Sequence, residues 1–165
     1  MKLETQRSET LTILKAAAIY FALVFGTGFV LGPLRILFLV PRLGVRLAEL
    51  MEFPVMLVVI VLAARWLVRK FQLAAHALLV GFLALGLMIA FEFTLVLWLR
   101  GLTLSEYFRE RDPVSGFVYY LMLVVFAAMP FLMAHKENVS LRTIRAVIKN
   151  LLDSSNNSPQ TPMHQ

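Results

Sequence analysis

The stretch "RILFLVPRLGVRLAELMEFP", residues 35–54, sets Arg35, Arg42, Arg46, Glu49 and Glu52 between two long apolar runs. Charge is costly beside hydrocarbon, so the flanks decide what this segment is. Working outward, apolar runs cover residues 16–40, 53–68, 73–99 and 114–134. A membrane-crossing helix needs roughly 20 residues, at 1.5 Å of rise each, to cover about 30 Å of hydrocarbon. The first, third and fourth runs meet that length. The second is too short by itself, so its helix must recruit "LAELMEF" on one side and "RWLV" on the other. The expected fold is an all-α integral membrane protein with four transmembrane helices, near 16–40, 50–68, 73–99 and 114–134, and a short amphipathic helix at the C-terminal side.

Composition agrees. The chain has 165 residues, 59% of them hydrophobic and only 16% charged, with mean hydropathy +0.77. A soluble domain of this size is about half apolar and about a quarter charged, so one soluble core cannot absorb the excess. The net charge of +6 is expected to serve the membrane, with basic residues flanking spans and meeting anionic headgroups rather than nucleic acid. There is no cysteine, which excludes disulfides, thiolate catalysis and cysteine metal sites. His76, His135 and His164 have no metal-ligand spacing, and no cofactor motif is present. The apolar run that begins at residue 16 is too long for a cleavable signal peptide, so it is expected to stay as a span.

Punctuation refines the elements. Pro54 removes one backbone donor and predicts a kink or a fresh helix start. Residues 41–51 are expected to form a helix near the interface, stacking Arg42, Arg46 and Glu49 on one face by their i, i+4, i+7 spacing. Asp112 and Pro113 suit the cap and first position of the fourth span, and Pro130 is expected to kink its far end. Gly28-x-x-x-Gly32 permits close helix approach. Beyond the spans, Leu141, Ile144, Val147, Ile148, Leu151 and Leu152 recur at helical spacing, with Arg142, Arg145 and Lys149 mostly on the other side. Residues 138–152 therefore read as an amphipathic helix on the membrane surface, followed by a disordered polar tail at 153–165. Residues 1–15 read as a cytosolic N-terminal segment.

With four crossings, Arg35, Arg42, Arg46, Glu49, Glu52, Glu92, Arg100, Arg109 and Arg111 converge on one leaflet. Glu92 is the sharpest signal. It lies about 10 Å inside the end of its apolar run, where an unpaired carboxylate is costly. Its own helix face offers only apolar neighbours, so a partner is expected from another helix, with Arg35 first and Arg46 and Arg100 behind it. All six basic residues on this side are arginine, and their planar forks suit carboxylates and phosphates.

No nucleophile–base pair shares a leaflet and no glycine-rich phosphate loop is present, which weighs against an enzyme. The leading expectation is a protein that handles or transports an ion, an anion or a lipid headgroup. Its candidate residues are Glu92, Arg35, Glu52, Glu49, Arg46 and Arg100, and with so few spans it would act as a homo-oligomer or with a partner subunit. The alternatives are an accessory or assembly subunit of a larger membrane complex and, last, a membrane-embedded enzyme acting on lipids.

Orientation follows from the basic residues. Ten fall on the side of the termini and six on the other, which places both termini in the cytosol of a bacterial-type inner or plasma membrane. Reporter fusions after Gln165 and near Gly44 should report opposite compartments, with Gln165 cytosolic. A cytosolic signal at Gly44 would reverse the assignment.

Overall fold

The computed structural model describes residues 2–73, 75–100 and 113–156. Among these the fold is all-helical: α1 Lys2–Leu34, a π-helical turn Arg35–Leu39, α2 Val40–Phe71, α3 Ala77–Arg100 and α4 Pro113–Asn156. Three stretches, Gln6–Phe71, Ala77–Thr94 and Gly116–Leu151, are long and apolar enough to cross a membrane. The chain divides into two units, Met1–Ala134 and His135–Gln165.

The first unit begins with a reversal of the chain. Gly44 adopts φ 77° and ψ 166°, a non-helical conformation inside the bounds of α2. Glycine enters this region without the Cβ clash that other residues meet. Beyond the break α2 returns along α1. A Cβ on Gly28 would lie 3.5 Å from Met56 Cε, and Arg35 reaches Glu49 and Glu52. Residue numbers falling along α2 as they rise along α1 mark an antiparallel pair.

The break corrects two expectations. The helix expected over residues 41–51 is interrupted at Gly44, so Arg42 is cut off from the face that Arg46 and Glu49 share. Of the kink or fresh helix start expected at Pro54, the fresh start is not made there, since Pro54 lies inside α2. Glycine supplies a whole reversal of backbone direction, whereas proline removes a single donor that the helix can lose.

The turn from α2 to α3 is short. Gln72 takes a left-handed conformation (φ 49°, ψ 46°) and its N–H bonds to the Val68 carbonyl, a helix cap of the αL type. His76 N–H donates to Leu73 O at 3.1 Å and Val80 N–H to His76 O at 3.0 Å. Arg69 and Lys70 occupy the last turn of α2, where cations favour the helix dipole. Lys70 Nζ also lies 4.5 Å from the centre of the Trp66 ring.

The core sits toward this turn, and it is built from small residues. Ala16, Ala17, Ala63, Ala64, Ala77 and Ala84 are buried beside Tyr20, Val24, Ile60, Leu67, Val80 and Phe126. Helices in lipid gain little from hydrophobic exclusion, so close backbone approach and dispersion must hold them together. Gly81 shows how close: a Cβ there would overlap the Ala127 carbonyl oxygen. Of the Gly28/Gly32 pair, only Gly28 meets a neighbour, and it lies within this chain.

One buried hydrogen bond explains why Pro130 is tolerated in α4. Proline has no N–H, so the carbonyl four residues earlier, that of Phe126, loses its helical donor. Tyr20 of α1 replaces it. Its hydroxyl donates to Phe126 O at 3.0 Å, and its ring stacks on the Phe126 ring at 4.5 Å with an interplanar angle of 11°. Tyr20 and Pro130 are both fully buried, so neither group has water as a substitute.

The second unit is helical through Asn156. The expected amphipathic segment at 138–152 is thus helical, and it is enclosed within α4 with no loop before it, since "HKENVS" contains neither glycine nor proline to stop the helix. Leu141, Ile144, Val147, Ile148 and Leu151 are exposed. The first four residues of the tail expected to be disordered are helical as well, and residues 157–165 lie outside the described residues. Pro113 opens α4 as expected, while Asp112 lies outside.

Tyr20→Phe should lower stability in detergent by about 1–3 kcal/mol, the cost of a buried carbonyl left without a donor. The same substitution should cost much less in a Pro130→Ala background, because the alanine introduced there restores the N–H that serves the Phe126 carbonyl. Equal losses in both backgrounds, read from thermal midpoints, would show that the hydroxyl does not replace the missing donor.

Candidate functional site

At the other end of the first unit the helices do not close. Phe25, Phe29, Phe53, Met56, Met88, Met122 and Phe126 wall a cavity of about 410 Å³, together with Val24, Gly28, Ile60 and Leu123. Its polar groups are Arg35, Glu49, Glu52, Glu92 and Tyr119. These come from the π turn, α2, α3 and α4, and α1 supplies Val24, Phe25, Gly28 and Phe29 to the wall, so every helix of the unit lines the site.

Arg35 is the first residue of the π turn. A π turn adds a residue to the helical repeat and re-aims the side chains around it, which is why such turns recur at functional sites. Here the guanidinium is carried toward α2. Nη1 lies 3.0 Å from Glu52 Oε2 and 3.7 Å from Glu49 Oε1. Glu49 and Glu52 are i, i+3 neighbours on one face of α2, so one cation serves two carboxylates. The side chains keep 26%, 24% and 16% of their exposure for Arg35, Glu49 and Glu52. The contact is electrostatic more than directional, because Arg35 Nε and Glu52 Oε2 are both buried and have no hydrogen-bond partner.

Glu92 is held differently. It is partly buried and faces the cavity, and Tyr119 of α4 donates its hydroxyl hydrogen to Glu92 Oε2. Arg35, the partner expected first, is engaged by Glu49 and Glu52. The reason is register: the hairpin sets Arg35 against the first turns of α2 beyond Gly44, whereas the antiparallel α3 and α4 bring Glu92 level with Tyr119.

Arg46 is exposed on α2 and does not line the cavity. Arg100 ends α3, and its side chain, like Arg109 and Arg111, lies outside what the structure describes. Of the six candidate residues, the structure brings Arg35, Glu49, Glu52 and Glu92 to one cavity.

Tyr119 was missed by the sequence reading, although a signal existed. It lies six residues into a helix that starts at Pro113, about 9 Å deep, and Glu92 lies eight residues from Arg100, about 12 Å deep. Matching depths on two sequential helices mark a candidate contact. The aromatic lining carried no comparable signal, since phenylalanine is as common on a lipid-facing surface as in a cavity wall. Among the described residues no group of His, Asp or Glu could hold a metal ion.

No family model, curated protein or solved structure matches the chain.

Arg35→Gln should destabilise the protein by roughly 1–3 kcal/mol, since it leaves two carboxylates in an apolar setting without their cation, though with some exposure to soften the loss. Arg35→Gln/Glu52→Gln should recover much of this, and Arg35→Gln/Glu92→Gln should recover less. Equal recovery by the two double variants, measured as detergent thermal midpoints, would mean that Arg35 does not distinguish Glu52 from Glu92.

Proposed function

We propose that this chain is a four-span membrane protein that takes up an amphiphilic ligand in the cavity between its helices, with the polar head at the Arg35–Glu52–Glu92 end. The fourth crossing comes from dividing the stretch Gln6–Phe71 at Gly44, where the backbone is non-helical and beyond which α2 returns along α1. The excess of basic residues on the side of both termini then sets those termini in the cytosol. The charged end of the cavity opens in the other leaflet.

The observation that carries this reading is the pairing of opposites in one space. Charged and hydroxyl groups from the π turn and three helices meet at one end of a cavity whose remaining wall is aromatic and methionine. Ligand sites are mostly apolar with a few placed polar groups, and intramembrane charge marks ligand or ion pathways. Methionine adapts its shape to varied apolar bodies. A lock between two helices would need one pair, whereas here three carboxylates line one space.

Native mass spectrometry of the protein in mild detergent tests the reading. Wild type should carry a discrete bound amphiphile. Met122→Trp, which fills the apolar part and leaves the charges intact, should lose it while keeping the thermal midpoint of a folded protein. No discrete mass on wild type, or one that persists in Met122→Trp, would overturn the proposal.

A further inference from the structure

Resting on that reading, we infer that the head the cavity accepts is cationic and bears N–H donors: a primary ammonium on an apolar body. The argument begins with charge. Glu49 and Glu52 both lie within ion-pair distance of Arg35 Nη1, and one guanidinium neutralises one carboxylate. Whatever else holds Glu92, the trio sets two acidic groups against one guanidinium, and it carries a surplus negative charge whenever both are ionised. Among the described lining residues Arg35 is the cation, and no lysine or histidine joins it. A second cation is therefore favoured there, and in low dielectric a second anion is strongly disfavoured.

Hydrogen bonding leads to the same class. The described polar lining is rich in acceptors, with three carboxylates against one guanidinium and one hydroxyl. The hydroxyl is already spent, since Tyr119 donates to Glu92. Glu52 Oε2 is buried, and although Arg35 Nη1 lies 3.0 Å away it makes no well-directed hydrogen bond, so it keeps lone-pair capacity for a further donor. An ammonium brings three donors, whereas a sulfate or phosphate brings mainly acceptors. The remaining unmatched donor, Arg35 Nε, is satisfied by a hydroxyl or water accompanying the head.

The walls suit a cation with an apolar body. Phe25, Phe29, Phe53, Tyr119 and Phe126 line the space, and aromatic faces attract cations while accepting hydrocarbon. Glu52 and Ile60 lie on the same side of the cavity eight residues apart on α2, about 12 Å along the axis, which is room for an alkyl body below the head.

Titration calorimetry in a non-ionic detergent, with decylammonium, decyl sulfate and decanol as probes, distinguishes the outcomes. Decylammonium should bind saturably to the full-length protein, and decyl sulfate and decanol should not. Glu52→Gln should weaken decylammonium by at least about tenfold, the loss of one charge-assisted hydrogen bond. Met122→Trp, which keeps every charge, should abolish it, and Leu62→Ala, an exposed position off the cavity, should leave it unchanged. Saturable binding of decyl sulfate, or equal binding of decanol, would overturn the cationic assignment and leave the cavity as an amphiphile site. No saturable binding by any probe would overturn both readings.

Discussion

An arginine drawn into an apolar helix bundle must take carboxylates with it, and the rest of the first unit is arranged around that requirement. Arg35 stands where α1 gives way to the π turn, and its partners stand on α2, so the pair can form only if the chain reverses between them. Gly44 provides the reversal, and Glu49 and Glu52 follow it closely enough to meet the guanidinium. Such a contact adds little net stability, because the charges lose much of their hydration when they leave water. It specifies register instead: a slip of one residue along the hairpin would turn Glu49 and Glu52 away from Arg35 and leave three ions in an apolar setting.

The two ends of the unit solve opposite problems with opposite residues. Near the α2–α3 turn, alanines and Gly81 bring backbones together, and a buried carbonyl there has a dedicated donor. The carbonyl stripped of its donor by Pro130 receives the Tyr20 hydroxyl, so a residue that would weaken an isolated helix becomes the point where α1 is fastened to α4. At the far end phenylalanines and methionines replace alanine. Their bulk holds the helices apart and leaves a cavity, and the polar groups around it are matched incompletely. One cation faces two carboxylates, and two buried polar atoms lack hydrogen bonds.

That incompleteness gives the site its chemical character. A fully matched ion pair would leave nothing for a ligand; in the proposed reading Glu52, drawn to Arg35 by charge, keeps an acceptor for one. Glu92 and Tyr119 form a second polar contact across α3 and α4, which ties the other half of the bundle to the same space.

Much of this protein was legible in its residues. Long apolar runs at 1.5 Å per residue marked α1, α3 and α4 as long helices, though α1 begins at Lys2 and ends at Leu34 and α4 continues to Asn156, and Pro113 marked the start of α4. The depth of Glu92 and the crowding of Arg35, Glu49 and Glu52 marked these four as candidates, and the structure brings them to one cavity. Such marks follow from the sequence because rise and depth accumulate along a single helix, without reference to any neighbour. Which groups touch was a different matter. Arg35 and Glu92 lie at compatible depths, yet depth does not say which helix stands beside which or how far each is rotated about its axis. Those quantities depend on Gly44 rather than Pro54 making the break, on the π turn re-aiming Arg35, and on Gly81 admitting the Ala127 carbonyl so that α3 and α4 run closely antiparallel. Only the assembled bundle could set Tyr119 on Glu92, Tyr20 on Phe126, and one guanidinium between two carboxylates, because each contact is made by side chains whose positions several helices determine together.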